Sequence, residues 1–364
     1  MKVLVTGANG FIASNLIVHL NERNVEIVRY TNSNCRTDLV NMMVNVDFIF
    51  HLAGVNRTED NKQFYIGNED LTNSVCDIAK LNGRKIPILY VSSIHAGANN
   101  DYGVSKLAAE DVIYKYSRET GANVHVYRLS NVFGKWSRPN YNSVVATFCY
   151  NICRNIPIKI DNENNIINLV YIDDVIDAFI QVLLDSHKQI VLENEYSITI
   201  GDLAKTLYSF KSHREDHFVP NAGKGFSRAL YATYLSFQTT EQFNYPLTVN
   251  SDDRGDFSEI IKNKDAGQIS MFTIKPTFTR GEHYHHTKNE KFIILSGKVR
   301  FRFKHILTNE LYELNVEENS LEIIETVPGW SHDITNIGSI EVKVLLWSNE
   351  VFNKDKPDTI QFKI

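Results

Sequence analysis

Lys2-Val3-Leu4-Val5-Thr6-Gly7-Ala8-Asn9-Gly10-Phe11-Ile12-Ala13 is a short apolar run ending in two glycines three residues apart, followed by apolar residues at helical spacing. A buried strand, a tight turn and a helix N-terminus, in that order, offer a pyrophosphate free backbone N–H groups and the positive end of a helix dipole. Gly7 permits the turn, and Gly10 lets the backbone come close to a phosphate. Ala13, in the third position of the fingerprint, still allows close helix–strand packing. Glycine spacing alone is weak, because many strand–helix turns carry two glycines. The α/β pattern that follows makes it a dinucleotide-site expectation.

That pattern predicts strands at Val25–Tyr30, Val46–Gly54, Ile88–Ser93 and Val124–Leu129, the last after a long helix beginning near Tyr102. Continuous apolar strands separated by helices indicate a parallel sheet covered on both faces, an α/β Rossmann-like domain. From about Val170 the pattern reads as helical and less regular, with Tyr171-Ile172-Asp173-Asp174-Val175 opening a helix on two acids; the Asn-rich piece from Asp161 to Asn165 reads as a loop. The character changes near Tyr245-Pro246. Short alternating strands follow, among them Gln268–Lys275, Lys291–Leu295 and Lys298–Phe303, which suggests an antiparallel sandwich or barrel. The expected domains are 1–243 and 244–364.

A chain of 364 residues suits two domains, and 43% hydrophobic with 22% charged residues is ordinary for a globular protein. The formal net charge of -5 argues against nucleic acid or an anionic membrane as the main partner. No apolar run is long enough to span a bilayer, and a strand starting at residue 2 leaves no room for a signal peptide. Cys35, Cys76, Cys149 and Cys153 lack metal-site spacing and read as buried free thiols of a cytoplasmic protein.

Tyr102 and Lys106 lie four apart at the start of a helix and share a face. An ammonium beside a phenol stabilises phenolate and makes the tyrosine a usable proton donor or acceptor. Ser93, at the end of a buried strand, can hold a substrate oxygen against that phenol. Where an NAD-selective fold offers an acid at the end of strand two, this sequence offers Arg29, with Arg36 nearby. A cation there suits a 2′-phosphate and favours NADPH over NAD. Lys135, Trp136, Arg138, Asn140 and Tyr141, on a Gly/Pro-bounded loop after Asn131, bring cations and aromatics suited to a nucleoside diphosphate and a uracil ring; an ordinary exposed loop is the alternative.

Together with His51-Leu52-Ala53-Gly54, Arg128-Leu129-Ser130-Asn131-Val132-Phe133-Gly134 and the Tyr171 segment, this set resembles the extended short-chain dehydrogenase/reductase family over residues 1 to about 240. The resemblance implies that Gly7, Asn9, Gly10, Phe11, Ile12, Arg29, Leu52, Ala53, Gly54, Tyr102 and Lys106 bind the nicotinamide dinucleotide. It also implies that Ser93, Tyr102 and Lys106 are catalytic. Sugar-nucleotide 4,6-dehydratases of that family follow the catalytic Ser/Thr with an acidic pair or an acid and a lysine. Here Ile94 and His95 follow, so elimination lacks its groups, and ketone reduction or a 4-epimerase cycle remains.

The C-terminal half concentrates histidines in Gly281-Glu282-His283-Tyr284-His285-His286-Thr287-Lys288-Asn289-Glu290. On a strand His283 and His285 point to one side, with Glu290 expected back on the adjoining strand and His332 arriving from Pro328-Gly329-Trp330-Ser331-His332. Three imidazoles and a carboxylate suit a borderline divalent ion such as Zn2+. The alternative is a histidine-lined pocket working by acid–base chemistry. His286 faces the other way and reads as structural. Both segments resemble motifs of the cupin family, a jelly-roll all-β fold. Asp253–Glu259 and Arg280–His283 also resemble the cupin-type 4-keto-sugar 3,5-epimerases, in which that histidine is a general base without metal; His283 is therefore ligand or base.

Over its whole length the chain resembles a bifunctional capsule-biosynthesis family in which such a reductase is fused to a cupin. The resemblance implies 3-epimerisation of a UDP-4-keto-6-deoxy-N-acetylhexosamine and its reduction by NADPH. The implied product is UDP-2-acetamido-2,6-dideoxy-L-talose (UDP-N-acetyl-L-pneumosamine), en route to UDP-N-acetyl-L-fucosamine. Zinc in the cupin and a homodimer are implied too. Two other readings stand beside it: a reductase whose cupin is a binding or dimerisation module, and a sensor that only binds.

Overall fold

Val3, Leu4 and Val5 are wholly buried, and they make Lys2–Thr6 an interior strand, β1, of a five-stranded sheet. The chain turns at Gly7 into helix α1 (Phe11–Glu22) and returns as β2 (Glu26–Tyr30) on one side of β1. It then crosses to the other side for β3 (Phe48–His51), β4 (Ile88–Ser93) and β5 (Val124–Leu129). All pairings are parallel and the order is β2-β1-β3-β4-β5. The order reverses beside β1, so the carboxyl ends of β1, β3 and β4 border the crevice where such sheets take their ligands.

In this computed structural model residues 1–242, 246–320, 322–355 and 357–364 are described, with Arg214 described by its backbone alone. The chain divides into two compact units, Met1–Leu207 with Ala232–Gln238 and Tyr208–Tyr231 with Thr239–Ile364. The boundary expected at 243/244 lies outside the described residues.

The stretch expected to be helical from Val170 is in part a second small sheet. Asn131–Phe133 pairs in parallel with Ile166–Tyr171, which pairs antiparallel with Tyr196–Thr199. The helix expected to open at Tyr171-Ile172-Asp173-Asp174-Val175 is Ile172–Leu184, entered from Ile166–Tyr171 with no loop between; the departure from the expected helical pattern is the strand Tyr196–Thr199. Cys76, Cys149 and Cys153 are buried free thiols as expected, but Cys35 is exposed, because it sits at the start of the surface helix Arg36–Met42. No described helix is long and apolar enough to cross a membrane.

The C-terminal unit contains two antiparallel sheets. One has Ile324–Glu325, Glu290–Ser296, Val342–Ser348, Gly267–Ile274, Gly255–Asn263 and Asn250–Asp252 side by side in that order. The other has Leu311–Glu317, Lys298–His305, Trp330–Asn336, Thr279–Tyr284 and Ile360–Gln361. Phe272, Phe292 and Ile294 from the first pack with Phe301, Phe303 and Ile334 from the second into one core. Buried positions alternate with less buried ones along Lys298–Phe303, as half-buried strands require. The architecture is a Rossmann-like α/β domain followed by an all-β cupin domain.

Candidate active sites of the two units

The glycine turn has the geometry its sequence demands. Gly7 has φ +66°, and a Cβ there would lie 2.8 Å from Ala53 Cα, so this position accepts only glycine without backbone movement. Gly10 is the N-cap of α1, and no side chain caps that terminus. Its first N–H groups are therefore free for an anion.

A buried relay ties the ends of β1 and β3 together. Thr72 Oγ1 donates to Asn68 O (2.5 Å) and lies 2.8 Å from His51 Nε2, which must then carry the proton. His51 Nδ1 in turn accepts from Thr6 Oγ1 at 2.8 Å. Thr6 Oγ1 accepts the N–H groups of Leu52 and Ala53, each at 3.1 Å. Burial, then the charge on Lys106, pushes the His51 imidazole down to about 3, so it is a neutral strut. The histidine of the His51-Leu52-Ala53-Gly54 motif thus shapes the loop behind Gly7.

Asn68 stands in a π-helical segment, Tyr65–Asp70, and brackets Val55: Val55 N–H donates to its Oδ1 (2.9 Å) while its Nδ2 donates to Val55 O (3.0 Å). Its Nδ2 also donates to Ser105 Oγ (3.0 Å) in the helix Asp101–Thr120. Such π turns concentrate at functional sites. Asn68 carries no signal in the sequence, since nothing in local periodicity marks a π turn.

The helix Asp101–Thr120 starts with Gly103 N–H donating to Asn100 Oδ1 (2.8 Å). Its first turn is held by Asp101, which accepts from Asn61 Nδ2 (2.6 Å) and Tyr65 OH (3.0 Å). Tyr102 is half-buried beside Phe64 and, with Asn56, His95 and Asn100, lines a cleft of about 420 Å³. One turn on, Lys106 is 5% exposed; its ammonium donates to Val91 O at 2.8 Å and lies 4.6 Å from the Tyr90 ring centre. Burial lowers it to about 8, against the opposing pull of Glu110. Glu110 is itself buried, accepts from Ser92 Oγ (2.5 Å) and is gripped by Arg128 (2.6 Å). Ser93, buried at the end of β4, accepts His95 N–H at 3.1 Å.

In the loop after Asn131, Lys135 is committed to Asp173 at 2.5 Å, while Arg138 makes no ion pair among the described residues. Burial raises the Asp173 carboxyl, but hydrogen bonds from Lys135 and Tyr171 outweigh it and hold the group below the usual range. Arg138 lies 5.2 Å from the Tyr141 ring centre, and Tyr141 OH donates to Asn56 Oδ1 (3.1 Å). Trp136 is 52% exposed, with the Lys135 ammonium 5.4 Å from its ring centre, and Trp136 and Asn140 both have positive φ. Asn131 is engaged through Nδ2 with Asn168 O at 3.0 Å. Arg29 and Arg36 are exposed and make no ion pair among the described residues; the nearby acid Asp38 accepts Cys35 N–H at 2.9 Å.

In the barrel, His283, His285, Glu290 and His332 bring their ligand atoms within 4.8 Å of one another. His283 and His332 face each other across the Thr279–Tyr284 and Trp330–Asn336 pair, next to a bulge formed at Gly281 and Glu282. Glu290 does not come from an adjoining strand, as the sequence suggested. It lies in the opposite sheet and reaches across the core, because the loop after Tyr284 carries the chain from one sheet to the other. Its Oε2 stands 3.4 Å from Nε2 of His285 and of His332, and its Oε1 takes the buried Lys288 ammonium at 2.8 Å. Those two Nε2 atoms are buried and have no hydrogen-bond partner among the described residues. Orphaned imidazole nitrogens around a carboxylate fit a divalent ion and are costly without one. Burial, then His332, lowers His283 to about 4. His286 is exposed and its backbone N–H is bound by Asp358.

The sequence and the fold both have relatives. Residues 3–198 match the NAD dependent epimerase/dehydratase family and residues 250–360 the polysaccharide biosynthesis C-terminal domain. A UDP-2-acetamido-2,6-beta-L-arabino-hexul-4-ose reductase from Pseudomonas aeruginosa is 50% identical over 99% of this chain and 98% of its own. The crystal structure of capsular polysaccharide assembling protein CapF from Staphylococcus aureus superposes with a TM-score of 0.91 at 40% identity, covering 100% of both chains. A UDP-glucuronic acid 4-epimerase from Bacillus cereus, in complex with NAD, shares the fold alone: TM-score 0.55 and 18% identity over 65% of this chain and 96% of that one. The chain thus belongs to the NAD dependent epimerase/dehydratase family, in the branch that joins this domain to a polysaccharide biosynthesis C-terminal cupin.

Proposed function

We propose that this protein is an NADPH-dependent 4-keto-sugar-nucleotide reductase whose cupin epimerises C3 of the same sugar before C4 is reduced. The observation that carries the reading is that one chain holds both constellations, Tyr102 with Lys106 beside a dinucleotide turn and the imidazole–carboxylate cluster in a barrel. The proposed substrate is a UDP-4-keto-6-deoxy-N-acetylhexosamine and the product UDP-2-acetamido-2,6-dideoxy-L-talose, supported by the name of the relative at 50% identity. We assign reduction to residues 1–243 and epimerisation to 244–364, in a cytoplasmic homodimer.

The order follows from the chemistry. Hydrogen on C3 is acidic only while C4 is a ketone, and reduction of C4 then fixes the new configuration. When bound, the nicotinamide supplies the hydride and a divalent ion polarises the oxygen beside C3. Tyr102 gives its phenolic proton to the C4 oxygen, Ser93 holds that oxygen, and the Lys106 ammonium stabilises the phenolate left behind. Gly7, Asn9, Gly10, Phe11, Ile12, Leu52, Ala53 and Gly54 cradle the cofactor. Asn131, Trp136, Arg138, Asn140 and Tyr141 receive the UDP moiety, with Lys135 anchoring their loop through Asp173. In the barrel His285, Glu290 and His332 hold the ion. His283, the least buried of the four and neutral at physiological pH, completes the shell or takes the C3 proton.

Incubation with the 4-keto sugar in deuterated water without NADPH should place deuterium at C3, read by proton NMR; added NADPH should then be consumed stoichiometrically. Absence of C3 deuterium would reduce the barrel to a binding or dimerisation module. Exchange that survives removal of metal by a chelator would assign His283 as base rather than ligand.

NADPH is supported by Arg29 and Arg36, which are exposed and make no ion pair among the described residues, and by the engagement of Asp38 elsewhere. Loss of a charge-assisted contact costs about 1.5–3 kcal/mol, so Arg29→Ala should raise KM for NADPH by about 10- to 100-fold while leaving KM for NADH unchanged. Equal changes for both cofactors would overturn the preference.

A further inference from the structure

The loop that links the two sheets, residues 285–289, carries one ligand candidate at its start and leads into another at Glu290, yet it belongs to no strand. Its conformation is imposed from far along the chain. Asp358 Oδ1 accepts the N–H of His286 (2.9 Å), and Oδ2 accepts the N–H groups of Thr287 (2.7 Å) and Lys288 (2.8 Å) and the Thr287 hydroxyl (3.0 Å). The backbone carbonyl of the same residue accepts from His285 Nδ1. One residue therefore answers successive backbone donors of the loop and one ring nitrogen of its first histidine.

The consequence for His285 is chemical. A neutral imidazole that donates from Nδ1 has its lone pair on Nε2. That Nε2 is buried, unpartnered among the described residues and 3.4 Å from Glu290 Oε2. The same loop geometry brings Lys288 to within 2.8 Å of Glu290 Oε1, leaving Oε2 to face the histidines.

We propose that Asp358 is the positioning residue of the histidine cluster: its carbonyl fixes the His285 tautomer with Nε2 open, and its carboxylate holds the 286–288 loop so that His285 and Glu290 converge. The proposal rests on reading the cluster as a divalent-ion site. Outer partners of metal-bound histidines set ring orientation and ligand basicity, and their loss typically costs about 10- to 100-fold in metal affinity.

The test uses the full-length protein and its Asp358→Ala and Asp358→Asn variants. Zn2+ affinity is measured by competition with a chromophoric chelator. The His285 tautomer is read separately, by long-range proton–nitrogen NMR of the metal-free chain with 15N-labelled histidine. In the native protein His285 should be the Nδ1–H form; both variants keep the carbonyl and lose the carboxylate's grip on the 286–288 loop that holds His285 against it, so the ring should become a tautomer mixture, with Zn2+ bound about 10- to 100-fold more weakly. A role confined to folding would lower the melting temperature without moving the tautomer. Native tautomer and affinity in both variants would overturn the proposal. If the native chain binds no Zn2+, the ion reading fails and the tautomer comparison alone decides the role of Asp358.

Discussion

Tyr102→Phe should lower kcat/KM for NADPH-dependent ketone reduction by about 10²- to 10⁴-fold, the usual worth of a positioned proton donor. The phenol lines its cleft one helical turn before the buried Lys106, and the ring alone supplies the packing against Phe64. Removing one oxygen therefore leaves fold and cofactor site in place. If C3 exchange is the work of the other unit, as proposed, deuterium incorporation at C3 should stay at the native rate. Parallel loss of both activities would contradict a division of labour, and full reduction by the variant would sink the assignment of Tyr102. The pH profile gives a second readout. Lys106 is lowered to about 8 by burial, so it is charged below that pH and loses its charge above it. Reduction by the native enzyme should therefore fall as pH rises through about 8.

Glu290→Ala carries the largest expected effect on stability. It deletes a carboxylate that is 5% exposed and strands the Lys288 ammonium, itself buried, without its partner at 2.8 Å. Breaking a buried pair by removing one member costs about 3–5 kcal/mol. For a unit of this size that lowers its unfolding midpoint by roughly 10 °C. Calorimetry should record the loss in one transition, together with loss of bound metal and of C3 exchange. Glu290→Gln keeps the volume and an oxygen for Lys288, so it should retain most of the stability while losing metal. Equal melting of Glu290→Ala and the native protein would exclude a structural role for the pair. His283→Ala separates the readings of the barrel: lost C3 exchange supports an epimerase, and weaker sugar affinity alone supports a binding module.

Much of the α/β unit is legible because its signals are local. Ile88–Ser93 and Val124–Leu129 are strands as predicted: the first is a nearly continuous buried run, and the second, at the edge of the sheet, alternates in burial. The helix predicted near Tyr102 begins at Asp101, after an asparagine cap. The strand Ile166–Tyr171 carries no signal of its own in the sequence, because a strand that runs directly into a helix has no punctuating turn. The π turn around Asn68 was invisible for a related reason: it is an accommodation to Val55 and Ser105, not a property of its own residues.

The sequence by itself determined the two fold classes, the glycine turn, the Tyr102–Lys106 face and the identity of the histidine cluster, because periodicity and spacing depend on neighbours a few residues apart. Only the tertiary structure decided that Glu290 crosses from the opposite sheet, that Lys135 is spent on Asp173, and that Asp358, 73 residues beyond His285, shapes the loop of the cluster. Those contacts depend on which sheet faces face each other and where the chain passes between them. Packing settles that by satisfying buried polar groups and filling the core, and no local pattern encodes it.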